Sequence, residues 1–181
     1  MATSKTIGPA GVTAAIEQLA SAIDQRHAAS ASLVLLGVAN GGVALAAELA
    51  RRLRHARRHI AVGTIDISFH RDDIGRHPIP KEFQPTHIPR DITGATVILI
   101  DDVLFSGRTI KAALDELFDH GRPAKVELAV LVDRGGRRLP VAADYTGLTL
   151  LADESEKVVV TLDSARPRGW SVRVTPLSSR K

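Results

Sequence analysis

From Val12 to His27 the apolar residues recur at helical spacing, with Val12, Ile16, Leu19 and Ile23 on one face. The chain is therefore expected to open on an amphipathic helix that packs at the edge of a sheet. Leu33 to Leu36 is an unbroken apolar run, short enough for a strand buried on both faces, and it leads into Gly37-Val38-Ala39-Asn40-Gly41-Gly42. Val43, Ala46, Ala47, Ala50 and Leu53 predict a second helix with small inward side chains. Ile60 to Phe69 reads as a strand, as do Val97 to Ile100 and Val126 to Val132. Between the last two, Ile110, Ala113, Leu114, Leu117 and Phe118 predict a third helix, with Gly121 placed to cap it. Beyond Val132 the helical period disappears, and Tyr145 to Leu151, Val158 to Leu162 and Ser171 to Val174 read as short strands. Alternating strands and helices that give way to a β-rich tail predict an α/β protein: a twisted, mainly parallel sheet flanked by helices, with a small accessory region.

One stretch fits neither period. His70 to Arg90 holds Pro78, Pro80, Pro85 and Pro89 among scattered charges. So long a connection inside one domain predicts a functional lid.

Composition narrows the picture. A chain of 181 residues, 44% hydrophobic and 24% charged, is expected to form a single globular domain over 1–181 and is neither fibrous nor disordered in character. The absence of cysteine excludes a disulfide framework and thiolate metal sites, which suits a reducing compartment. No apolar run has membrane-spanning length and the first residues lack the order of a secretory signal, so a cytoplasmic location is expected. The net charge of +4 suits a polyanionic ligand. Part of that excess is the block Arg51 to His59, read here as the solvated end of a helix, where cations are favoured by the macrodipole.

The chemistry concentrates in Val97 to Thr109, VILIDDVLFSGRT. Ligands of open parallel sheets bind beyond the carboxyl ends of the strands, where Asp101 and Asp102 are expected. The backbone amides of Phe105 to Thr109, with the hydroxyls of Ser106 and Thr109 and the backbone freedom of Gly107, form a turn suited to phosphate at a helix N-terminus. Acids beside a phosphate nest suit a sugar phosphate, whose hydroxyls donate to the carboxylates. A nucleotide P-loop would place a lysine before Ser or Thr, whereas here Arg108 precedes Thr109. Helix capping would explain one of the two carboxylates but not both.

This stretch resembles the phosphoribosyl pyrophosphate (PRPP) signature of the type I phosphoribosyltransferase family. The similarity continues through Ile65 to Asp73, Gly121-Arg122-Pro123, Leu128 to Gly135, Leu139-Pro140, Ala143-Asp144-Tyr145 and Ser155 to Val158, covering about Val12 to Asp163. The branch it resembles pairs uracil phosphoribosyltransferase activity, uracil plus PRPP giving UMP plus pyrophosphate, with control of pyrimidine operon attenuation. The resemblance implies the type I fold, a flexible loop over about 70–90 and a β-rich hood formed mainly by the C-terminal part. It places Asp101 and Asp102 at the ribose hydroxyls and Arg71 at the reacting centre. It further implies that Val103, Leu104, Phe105, Ser106, Gly107, Arg108 and Thr109 hold the 5′-phosphate, and Ala39, Asn40, Gly41 and Gly42 the pyrophosphate. Asp133, Arg134, Lys157, Val158 and Val159 are implied around the base. Mg²⁺ is implied too, held mainly through PRPP and water with Asp101 and Asp102 nearby and no cage of protein ligands. A homodimer or larger homo-oligomer is expected.

The sequence departs from that pattern in two places. Ala39-Asn40-Gly41-Gly42 stands where members carry Lys-Thr-Arg-Gly, which removes a cation from the leaving-group site. Arg134, Arg137 and Arg138 would contribute to an RNA face, but Gly136, Ala142 and Leu148 stand where His, Arg and Lys are usual. Losing three cations from one face predicts weak or absent binding to pyrimidine leader RNA. A purine base in place of uracil, with the same signature, is the other alternative.

Overall fold

The structure is a computed structural model and describes residues 5–29, 32–53, 59–68, 85–163 and 165–177. Its elements are β1 (Thr6–Ile7), α1 (Pro9–Arg26), β2 (Ser32–Val38), α2 (Gly41–Leu53), β3 (His59–Ile65), β4 (Thr96–Leu104), α3 (Arg108–Asp119), β5 (Lys125–Asp133), β6 (Tyr145–Thr149), β7 (Glu156–Thr161) and β8 (Ser171–Pro176). Five strands form a parallel sheet in the order β3-β2-β4-β5-β6, and a three-stranded antiparallel sheet has the order β1-β8-β7. The mainly parallel α/β architecture is as expected. Among the described residues no helix is long and apolar enough to cross a membrane.

Period-two alternation sorts the central strands between two cores. Leu33 and Leu35 of β2 and Ile98 and Ile100 of β4 pack with α1 and α2, while Val34, Leu36, Val97 and Leu99 pack with α3 on the other face. Continuous apolar runs result because both faces are covered, which is why the sequence pattern reads as strand without alternation of polarity.

Several expected elements differ in detail. Tyr145–Thr149 extends the main sheet beside β5 instead of joining the accessory sheet, which takes its third strand from the N-terminal Thr6–Ile7. On α2 the inward face is carried by Gly42, Leu45, Ala46, Leu49, Ala50 and Leu53, while Ala47 is exposed, as a 3.6-residue period anchored on Gly42 requires. Helix α3 ends at His120 in right-handed geometry, so Gly121 is not a left-handed cap, and Phe118 is exposed under the Arg122 guanidinium. The expected lid falls largely on residues 69–84, outside the described residues. His87, on the described remainder, bridges Thr64 in antiparallel fashion at the free edge of β3.

A buried polar cluster ties α1 to the opposite end of β5 and β6. Glu127 accepts hydrogen bonds from Tyr145 (2.6 Å), pairs with His27 (2.7 Å) and meets Lys125 (2.5 Å) and Arg26 (3.2 Å). Burial pushes its carboxyl up, but these partners outweigh it and hold the pKa at about 2. The same burial and the carboxylate beside it raise the Tyr145 phenol.

Candidate functional site

Strand β4 runs further than its apolar run suggests, to Leu104. Its pairing with β2 ends at Gly37↔Ile100, whereas its pairing with β5 continues to Leu104↔Asp133. The carboxylates therefore stand where β4 has outrun one neighbour, and the free side is filled by the start of α2. Alternation along β4 directs Asp102 to the α2 face, with Ile98 and Ile100, and Asp101 to the other. Asp101 is buried and Asp102 half-buried. The Asp101 Oδ1 atom accepts the amide of Asp102 at 2.9 Å. Burial, joined by repulsion from Asp102, raises the Asp101 carboxyl well above the usual carboxylate range; burial also raises Asp102. The two acids are thus adjacent in charge but unequal in access. Neither caps α3, whose N-cap is Gly107 without any side-chain bond.

Gly41 and Gly42 are required by close approach. A Cβ at Gly41 would lie 2.4 Å from the Asp102 carboxyl, and one at Gly42 1.9 Å from the Ile100 carbonyl oxygen. Only glycine lets the first turn of α2 press against β4 and present its N-terminus beside Asp102. Ala39 and Asn40, joined by a cis peptide, form the connection, with the Ala39 amide bonded to Ile65.

The turn after β4 is shaped by where its carbonyls go. The Leu104 oxygen accepts from the Arg134 amide and Arg137 Nη1, at 3.1 and 3.2 Å; the Phe105 oxygen accepts from Arg137 Nη1 at 2.6 Å. The Ser106 oxygen takes the amides of Arg138 and Leu139, both at 3.0 Å, and the Gly107 oxygen that of Lys111 at 2.9 Å. Gly107 has φ 91°, which a side chain would strain. A hollow of about 420 Å³ lies here, lined by Phe105, Ser106, Arg108, Arg138 and Glu154. Ser106 and Arg108 line this hollow, and Thr109 is exposed on the first turn of α3. Val103 and Leu104 are not part of this turn: both belong to β4, and the Leu104 side chain is buried in the α3 core.

Arg134 and Asp133, expected around the base, have partners within the protein. Arg134, buried, donates to the carbonyls of Glu156 (2.9 Å), Asp153 (2.8 Å) and Ala152 (3.3 Å) and stacks 4.0 Å over the Phe105 ring. These donors tie the start of β7 and the segment before it to the end of β5. Asp133 accepts the Gly135 amide at 2.9 Å and pairs with Arg137 at 2.5 Å. Lys157 is exposed; Val158 packs into the α1 core, and Val159 is half-buried. All three sit on β7, an edge of the accessory sheet, so among the described residues one row of their backbone groups lacks a strand partner there.

The expected RNA face is reduced further. Arg137 is committed to Asp133 and to the carbonyls of Leu104, Phe105, Gly135 and Val141, while the exposed Arg138 pairs with Glu154. Gly136 has φ 72° and leaves room for Phe105, and Leu148 packs on the core. Arg71 lies outside the described residues. Among the described residues no group of three or more His, Asp or Glu side chains gathers as a metal site. The Gly41–Asp102 contact and the Leu104 and Phe105 carbonyls held by Arg137 had no signal in the sequence, since they join segments far apart along the chain.

Residues 7–165 match the family model described as the phosphoribosyl transferase domain. A hypoxanthine phosphoribosyltransferase of Trypanosoma cruzi shares the fold, with a TM-score of 0.70 over 94% of this chain and 95% of that one, at 22% identity. Among curated proteins, the Bifunctional protein PyrR of Geobacter sp. strain M21 is 44% identical over 155 residues, covering 85% of this chain and 88% of the relative. That of Streptomyces coelicolor is 49% identical over 149 residues, covering 81% and 77%. The chain belongs to the phosphoribosyltransferase family, within its PyrR branch.

Proposed function

We propose that the protein transfers the 5-phosphoribosyl group of PRPP to uracil, giving UMP and pyrophosphate. The observation that carries this reading is the turn Phe105 to Thr109, whose Phe105, Ser106 and Gly107 carbonyls are engaged by protein donors, shortly after the half-buried Asp102. Such a turn offers amides to a 5′-phosphate, while Asp102 accepts from the ribose hydroxyls. Pyrophosphate lies at the N-terminus of α2, against Ala39 to Gly42, where backbone donors and the helix dipole replace the cation usual in the family. Uracil N1 bonds to the anomeric carbon as the bond to the pyrophosphate oxygen breaks, with inversion, and the N1 proton passes to water or to the departing pyrophosphate. The carboxylates stabilise the positive charge that develops on the ribose ring. The half-buried Asp102 carboxylate, with Asp101 beside it, fits Mg²⁺ held through substrate oxygens and water, where the ion would neutralise the departing pyrophosphate. The free edge of β7 at Lys157 to Val159 reads the base by backbone groups.

Incubating the protein with labelled uracil, PRPP and Mg²⁺ is expected to yield UMP; its absence at high enzyme concentration refutes the reading. Guanine, hypoxanthine and xanthine in parallel test the purine alternative, and faster turnover of any of them would replace uracil. Regulation through leader RNA is expected to be weak, because Arg137 is engaged in the turn and Arg138 is paired. Binding of the cell's own pyrimidine leader RNA is measured with and without UMP; tight, UMP-stimulated binding at physiological salt would overturn this.

A further inference from the structure

The geometry points to Arg137 as the positioning residue of the 5′-phosphate turn, a role that rests on the phosphoribosyltransferase reading above. In a trans peptide the carbonyl and the following amide point in opposite directions. Whatever holds the carbonyl of Phe105 therefore aims the amide of Ser106. Arg137 holds it, with Nη1 at 2.6 Å from the Phe105 oxygen and 3.2 Å from that of Leu104. The backbone next to Arg137 completes the set: the Arg138 and Leu139 amides take the Ser106 oxygen, which turns the Gly107 amide the other way. Among the described residues neither the Ser106 nor the Gly107 amide has a protein acceptor. Both donors are left for a ligand.

The guanidinium is itself held in place. Its Nε donates to Val141 at 3.0 Å and its Nη2 meets the Asp133 carboxylate at 2.5 Å, at the end of β5. A rigid fork anchored to the sheet thus sets the direction of amides in a turn whose N-cap residue is a glycine without a side chain to do so. Lysine keeps the charge in such a place but lacks the fork. Charge alone would act on any anion nearby, whereas amide direction acts on the 5′-phosphate and spares the pyrophosphate site at α2.

The test compares Arg137→Met and Arg137→Lys with the wild type. Affinities for ribose 5-phosphate and for pyrophosphate are measured by calorimetry, and ¹H–¹⁵N spectra follow the Ser106 and Gly107 amides. Both variants are expected to bind ribose 5-phosphate more weakly by about 10-fold or more, the scale of a misaligned positioning contact, with pyrophosphate affinity within about twofold by the same argument. The ligand-induced shifts of the Ser106 and Gly107 amides should collapse. Should Arg137→Met not fold, Arg137→Lys alone decides. Wild-type affinity for ribose 5-phosphate in Arg137→Lys, or an equal loss for both ligands, overturns the role. A wild type that binds ribose 5-phosphate but makes no UMP refutes only the uracil reading. A wild type that binds no ribose 5-phosphate refutes both.

Discussion

Replacing Gly42 by Ala tests whether the closeness of α2 and β4 is what builds the site. The added Cβ would stand 1.9 Å from the Ile100 carbonyl oxygen and 2.8 Å from its carbon. A tolerable carbon–oxygen contact is about 3.3 Å, so the two backbones must separate by roughly 1.4 Å. Neither can yield cheaply: Ile100 is the last residue of β4 paired to β2, and Gly42 lies in the first turn of α2. Alanine gains at most about 1 kcal/mol in helix propensity, against about 1–3 kcal/mol or more for forcing atoms into a packed contact. A net loss of about 1–2 kcal/mol is expected in urea unfolding, with the slope unchanged. The displaced helix also carries the proposed pyrophosphate loop, and a shift of about 1 Å in a positioning element costs on the order of 10²-fold in kcat/KM for PRPP. Gly41→Ala is the internal control. Its Cβ meets the Asp102 side chain, which can rotate away, so stability should stay within about 1 kcal/mol while turnover falls with the displaced carboxylate. A Gly42→Ala protein with the wild-type unfolding midpoint and wild-type kcat/KM would refute the reasoning.

Two further outcomes follow from the titrating groups. The Asp101 carboxyl is raised in the folded state, first by burial and then by Asp102, so its contribution to stability is present below its unfolded pKa and lost as pH rises through the folded value. Asp101→Asn, which keeps an oxygen for the Asp102 amide, should therefore melt higher than the wild type at neutral pH, with the gap closing toward pH 4; a gap independent of pH would contradict the assignment. Glu127 behaves in the opposite sense, with a folded pKa of about 2 against an ordinary value of 4.5, so its contribution is present above the ordinary value and lost as pH falls through the folded one. Glu127→Gln should remove up to about 3 kcal/mol near pH 7 and flatten the acid limb of the stability curve, measured by urea unfolding from pH 7 to 3; an unchanged acid limb would count against it.

The main sheet was legible because its strands are buried on both faces, and unbroken apolar runs such as Leu33 to Leu36 and Val126 to Val132 have few other uses in a chain of this kind. The small sheet was legible only in part. Thr6–Ile7 is too short to show a period, and it becomes a strand because β8 offers it an edge. Tyr145 to Thr149 looked like its neighbours β7 and β8 in sequence, yet Tyr145 is drawn to the main sheet by the buried Glu127, a partner eighteen residues away that no local pattern reveals. The end of β4 lies beyond its apolar run because the strand continues through Asp101 and Asp102 to Leu104, held on one side only by the pairing of Asp101, Val103 and Leu104 with β5.

The charged residues near the site were harder to read for a related reason. A turn that presents its amides to an anion must dispose of its own carbonyls, and a buried carbonyl left without a donor costs about as much as a lost hydrogen bond. Here the donors are cations expected to face ligands: Arg137 takes the oxygens of Leu104 and Phe105, and Arg134 those of Ala152, Asp153 and Glu156. Positive charge close to the proposed phosphate turn is therefore spent largely inside the protein, which leaves backbone amides for the proposed ligand. The same commitment separates the two functions the sequence suggested for this face. An arginine held by the carbonyls of Leu104, Phe105, Gly135 and Val141 and by the Asp133 carboxylate is poorly placed to follow RNA phosphates without releasing those partners. On this geometry, a member of the branch that loses cations at Gly136, Ala142 and Leu148 keeps the means of holding a sugar phosphate, because that means lies in the backbone and its internal ties.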